Sequence, residues 1–157
     1  MKEARFLELL REERELLGRA AASLEKSLAK CARLDLSPPR SFENEESLDA
    51  LTSKFARCSD LLTQKVLKTL AFLLREDAPT FLDRMNFGEK LGAIPSARTM
   101  VAIRDLRNTI AHEYAVEDLL ELYADTLKLA PELLAAVRAV EIFVAKTLAT
   151  GQPGRKS

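Results

Sequence analysis

The sequence predicts an all-α protein, an up-and-down antiparallel bundle of four to five helices. Three observations lead there. Apolar residues recur at intervals of three and four along most of the chain, the spacing that gathers them on one helix face, and strand-like alternation is nearly absent. Only 5 glycines and 6 prolines occur in 157 residues, so breaks are few and elements are long. Apolar residues make up 47% and charged residues 31%, which lets long helices bury one stripe and solvate the other. The length suits one helical domain over residues 1–150, followed by a disordered tail at 151–157 that holds Gly, Pro, Arg and Lys.

The first helix is expected over about 2–33, with Phe6, Leu9, Leu10, Leu16, Leu17, Ala20, Leu24 and Leu28 on its stripe. Pro38-Pro39 makes the stretch from Leu34 to Arg40 a loop. Ser41 is placed to cap the second helix, whose early Glu43, Glu45 and Glu46 favour the positive end of the dipole. That helix runs to about Glu76. Its stripe, Leu48, Leu51, Phe55, Cys58 and Leu62, is spaced 3, 4, 3, 4 and continues through Val66, Leu70 and Leu73, as antiparallel bundle packing requires. Thr80 with Asp83 reads as a capped start for a short helix reaching Leu91. Gly92 and Pro95 end it, and Ser96 caps the next helix. A last helical region spans about 117–149, where Pro131 should kink the helix or begin a new segment.

Lys and Arg together number 24, as do Asp and Glu, so the chain is no polycation and any nucleic-acid contact must come from a local patch. Such a patch is available. From Lys54 to Arg75 there are five basic residues and one acid, Asp60. From Arg84 to Arg107 there are five more against Glu89 and Asp105. If these parts of the second and fourth helices face each other, they form a phosphate-attracting groove; scattered solubilising charge is the other reading. Cys31 and Cys58 are too few and too far apart for a zinc motif or a disulfide framework and read as small buried hydrophobes. Met1-Lys2-Glu3-Ala4-Arg5 leads directly into a charged helix, and no apolar run nears the roughly 18 residues of a membrane span, so a cytoplasmic protein without a membrane partner is expected.

His112 is the only histidine. It lies in Arg107-Asn108-Thr109-Ile110-Ala111-His112-Glu113-Tyr114. On a helical wheel with Arg107 at zero, Ala111 falls at about 40°, Arg104 at about 60°, Asn108 at about 100° and His112 at about 140°. Ile103, Leu106 and Ile110 fall at about 260° to 320°. The polar groups therefore share one broad face, with the small Ala111 leaving room for a ligand between Arg107 and His112. Imidazole moves a proton near neutral pH, and guanidinium holds a phosphate with two parallel hydrogen bonds. The pattern suggests a site for a phosphate and a proton transfer, although a solvated helix face carries the same residues.

The octet from Arg107 to Tyr114, late in a helical chain of this size, resembles the HEPN superfamily, and most closely the HepT-like toxins of prokaryotic toxin–antitoxin pairs. That family carries an arginine, a polar residue that is often asparagine, three more residues, a histidine, one more and a tyrosine. Arg107, Asn108, His112 and Tyr114 match it. The segment from Leu48 through Ala145 follows the family's general pattern, while Glu113 stands where a smaller residue is common.

The resemblance implies a metal-independent endoribonuclease toxin of a type VII-like system that acts as a symmetric homodimer and needs no cofactor. It implies a minimal nucleotidyltransferase antitoxin that silences the toxin by AMPylation of Tyr114. Arg107, Asn108 and His112 become the expected catalytic residues, and Arg104, Arg98, Lys65 and Lys68 the candidate RNA contacts. Two other readings stand beside it: a non-catalytic HEPN module that binds nucleotide or substrate next to a nucleotidyltransferase, and a helical scaffold that only dimerises.

Overall fold

The structure, a computed structural model, describes residues 2–112 and 119–149. Among these, every regular element is helical: α1 (Lys2–Cys31), α2 (Phe42–Asp60), a π-helical segment (Leu61–Val66), α3 (Leu67–Leu73), α4 (Phe81–Leu91), α5 (Ala97–His112) and α6 (Leu119–Ala149). Since α2, the π segment and α3 follow one another without a break, the molecule is an all-α up-and-down bundle of five rods. The expected second helix is therefore continuous in outline, but its middle is not α-helical. No described helix is long and apolar enough to cross a membrane.

One core joins the rods. Along α1, Leu10, Leu17, Leu24 and Cys31 are buried at a constant interval of seven residues. This seam packs with Leu48, Leu51, Phe55, Cys58, Leu62, Val66 and Leu70 of the second rod, and Met100, Ile103, Leu106, Leu133, Val137, Val140 and Val144 complete the cluster from α5 and α6. The stripe expected for the second rod is buried from Leu48 through Leu70, and its last member, Leu73, is half-buried. On the expected α1 stripe Phe6 and Leu28 are half-buried, and two residues lie outside the buried face: Leu9 is 37% and Leu16 49% exposed. Each lies about 100° back from a seam leucine, on the shoulder of the buried face rather than its centre. Polar ties cross the same interfaces. Buried Glu13 accepts a hydrogen bond from Thr69 Oγ1 at 2.6 Å, and Arg14 donates to Glu141 of α6 at 2.9 Å. Tyr123 of α6 donates to Asp49 of α2 at 2.5 Å.

The element ends follow from local chemistry. Ser41 Oγ accepts from the Asn44 amide at 3.1 Å, and Thr80 and Asp83 exchange both bonds of a capping box. Gly92 closes α4 at φ 77°, a conformation that a side chain would strain. Ser96 Oγ accepts from the Thr99 amide at 3.1 Å at the start of α5. Pro131 begins no new segment, because α6 runs through it. The residue is exposed and costs the Leu127 carbonyl its ladder donor, while Ala130, Leu133 and Leu134 around it are buried and hold the helix in place. The expected tail at 151–157 lies outside the described residues.

Both cysteines are free and buried. Burial pushes the Cys58 thiol up to about 12 and raises Cys31 as well. This fits their reading as core residues.

Candidate functional site

The polar face of α5 forms where the wheel predicts. Ile103 and Leu106 are buried, Ile110 is half-buried, and Asn108, Ala111 and His112 are exposed. Across from this face runs the second rod, and between them lies an open groove of about 660 Å³. Arg104, Arg107 and Asn108 line it from α5, and Arg57, Asp60, Gln64 and Lys65 line it from the opposite wall. The basic parts of the second rod and of α5 thus do face each other, with four cationic side chains against one carboxylate among the described residues.

The opposite wall is built largely by the π segment. A π turn takes one residue more than an α turn, so it widens the helix and re-aims the side chains that follow. The Leu67 amide donates to the Leu62 carbonyl, five residues back, and Thr63 Oγ1 donates to the Ser59 carbonyl at 2.8 Å where the ladder changes register. Leu61, Thr63, Gln64 and Lys65, all from this widened stretch, reach the groove.

Asp60, the last residue before the π segment, holds Arg107. Arg107 Nε donates to Asp60 Oδ1 and Nη2 to Oδ2, each at 2.8 Å. This two-point pair fixes the plane of the guanidinium, and the hydrogen bond to Asp60 raises Arg107 above the ordinary guanidinium range. A guanidinium has five N–H donors, so about three remain for a ligand at its free end. Asp60 is a residue the motif does not contain. Its one trace in the sequence is that it is the single acid in the basic run from Lys54 to Arg75.

Arg104 is held differently. Its guanidinium carbon stands 4.4 Å from the centre of the Phe81 ring, a cation–π contact with the first residue of α4. Its Nε is buried without a hydrogen-bond partner among the described residues, and Asp105 approaches it only to 3.9 Å. Stacking thus fixes the plane of Arg104 while leaving its outer donors available. Arg84, also on α4, is buried and donates to Gln64 Oε1 at 3.3 Å, which orients the Gln64 amide. Desolvation lowers the Arg84 pKa. Two residues of α4 therefore brace two groove residues from behind.

Of the residues singled out by the sequence, Arg104, Arg107, Asn108 and Lys65 come together in this groove. His112 is exposed one turn beyond Asn108 on α5 and is not among the residues lining it. Arg98 and Lys68 are exposed and do not line it either. Tyr114 and Glu113 lie outside the described residues. Among the described residues, no three His, Cys, Asp or Glu side chains gather as a metal-binding set would.

No protein-family model matches the chain, and no curated protein and no solved structure matches it.

Proposed function

We propose that the chain is a metal-independent endoribonuclease toxin of the HepT-like HEPN kind, acting in the cytoplasm as a symmetric homodimer. The observation that carries the reading is the groove in which Arg104, Arg107, Asn108 and Lys65 converge, one helical turn from the exposed His112. Cleavage of RNA without a metal requires the 2′-hydroxyl to lose a proton, the pentavalent phosphorane to be stabilised and the leaving 5′-oxygen to gain a proton. His112 serves as general base or acid. Arg107, with its plane set by Asp60, meets the charge that builds on the non-bridging oxygens. Asn108, four residues before His112, orients the imidazole or the phosphate. One histidine per chain leaves one proton transfer without a catalyst, and a two-fold axis near the groove supplies the second imidazole.

The same reading assigns the antitoxin. A minimal nucleotidyltransferase partner adds AMP to Tyr114, two residues after His112 in the sequence, and the added bulk and negative charge oppose the binding of an RNA phosphate. The test is His112→Ala. The variant is expected to lose RNA cleavage and growth inhibition while its circular dichroism stays helical. Cleavage by the wild type persists in EDTA. A variant that still cuts RNA removes His112 from the mechanism.

One observation favours the non-catalytic module instead: Arg107 is already engaged by a carboxylate. That module binds nucleotide, leaves RNA intact at high protein concentration, and does so with or without His112.

A further inference from the structure

The groove beside α5 shares part of its wall with another. A second groove, of about 370 Å³, lies between α1 and α2. Leu16, Arg19, Ser23 and Lys54 line it, together with Arg57 and Leu61, which also line the first groove. Lys54, Arg57 and Leu61 are spaced as one face of a helix, so the shared wall is a single ridge.

The charge on this second groove is one-sided. Among the described residues, no carboxylate lines it. Arg19 has Glu15 at 3.9 Å, but both side chains are well exposed and the pair is screened. Lys54 Nζ donates to Ser27 Oγ at 2.8 Å, which holds the ammonium at the α1 wall without neutralising it. Among the described residues, the two grooves together present six cationic side chains (Arg19, Lys54, Arg57, Lys65, Arg104 and Arg107) and one carboxylate, Asp60, on a chain whose formal charge is zero. Leu16, half exposed on the shoulder of α1, and the part-buried Leu61 add an apolar floor. Backbone-tracking cations beside an apolar surface for bases are what a single strand needs. From Lys54 to Lys65 the second rod advances about 16 Å. That length takes in more than one phosphate step of a strand, so the two grooves can hold successive phosphates.

We propose that the second groove is a subsite for the flanking nucleotides of a single-stranded RNA whose reacting phosphate lies in the first. The strand crosses from one groove to the other over Arg57. This inference rests on the ribonuclease reading of the first groove.

The test uses 5′-fluorescein oligouridines of 4 and 12 nucleotides with 2′-O-methyl groups, which cannot be cut because the attacking hydroxyl is blocked. Binding to the full chain is followed by anisotropy across a salt series. The 12-mer is expected to bind more tightly than the 4-mer. Its log–log salt slope should be steeper by about 1.4, the value for two more neutralised phosphates on a single strand. The double variant Arg19→Gln, Lys54→Gln should bring the 12-mer slope down to that of the 4-mer and leave 4-mer binding unchanged. Arg19→Gln alone, at an exposed position that does not hold the fold, should give about half that change. Equal slopes for the two oligomers in the wild type, or a variant that binds the 12-mer as the wild type does, overturn the subsite and leave the first groove standing. A protein that binds neither oligomer overturns both readings.

Discussion

On the proposed ribonuclease reading, Asp60→Asn separates a role of the Asp60–Arg107 pair in binding from a role in catalysis. The substitution keeps the shape and one acceptor and removes the negative charge. Among the described residues lining the groove, net charge rises from three positive to four, because Arg57, Lys65, Arg104 and Arg107 then share it with no carboxylate. A carboxylate about 6 Å from a phosphate in a water-filled groove repels it by about 0.7 kcal/mol, so uncleavable RNA should bind about 3-fold more tightly. The fold loses little. The Arg107 and Asp60 side chains are 33% and 41% exposed, so solvent screens the pair. A loss of about 0.5 kcal/mol is expected, lowering Tm by about 1–2 °C. Chemistry moves the other way, since a guanidinium no longer fixed in plane misses the developing charge, and single-turnover cleavage should slow by about 10- to 100-fold. Anisotropy with a 2′-O-methyl strand and single-turnover cleavage of the matching RNA read the two effects separately. Cleavage at the wild-type rate in Asp60→Asn would show that the carboxylate does not position Arg107.

The groove also divides the cations named by the sequence. Arg104→Gln should weaken RNA binding and reduce the salt slope by about 0.7, whereas Arg98→Gln and Lys68→Gln should leave both unchanged in the same titration. The fold should fail in alkali. Cys58 is raised to about 12, and Tyr123 is raised first by burial and then by its bond to Asp49. Both keep their protons in the folded state at a pH where the unfolded chain has lost them. Their contribution is whole below about pH 9 and falls by about 1.4 kcal/mol per pH unit for each group between its unfolded and folded values. Chemical denaturation from pH 8 to 11 should show this decline, and Cys58→Ala should flatten it. Phe55→Ala, in the middle of the core, should cost about 3–5 kcal/mol in the same assay, the cost of an unfilled cavity.

Much of the architecture is local in origin and therefore readable along the chain. The caps at Ser41, Thr80 and Ser96 and the helix end at Gly92 depend on a few neighbouring residues, and each forms as read. The amphipathic wheel of α5 is local as well, so the grouping of Arg104, Arg107 and Asn108 on one face could be anticipated. Three features could not, because each depends on tertiary partners. Leu9 and Leu16 fall beside a seam whose exact azimuth the facing rods set. Pro131 stays within α6 because buried neighbours hold the helix despite the missing donor. Asp60 and Arg107 are 47 residues apart, and no periodicity links them. The π segment is hidden for another reason. Its apolar residues keep near-helical spacing, and only the hydrogen-bond register distinguishes it.

That extra residue acts like an insertion absorbed without a loop. The π register adds a residue between the α-helical ladders of α2 and α3, within a rod that has no break. Deleting one residue from Leu61–Val66 would let the backbone relax to a uniform ladder. It would also swing one end of the rod by about 100°, taking either the core leucines or the Gln64–Lys65 wall out of position. The site and the packing are therefore tied to the same irregularity, and neither can be straightened without losing the other.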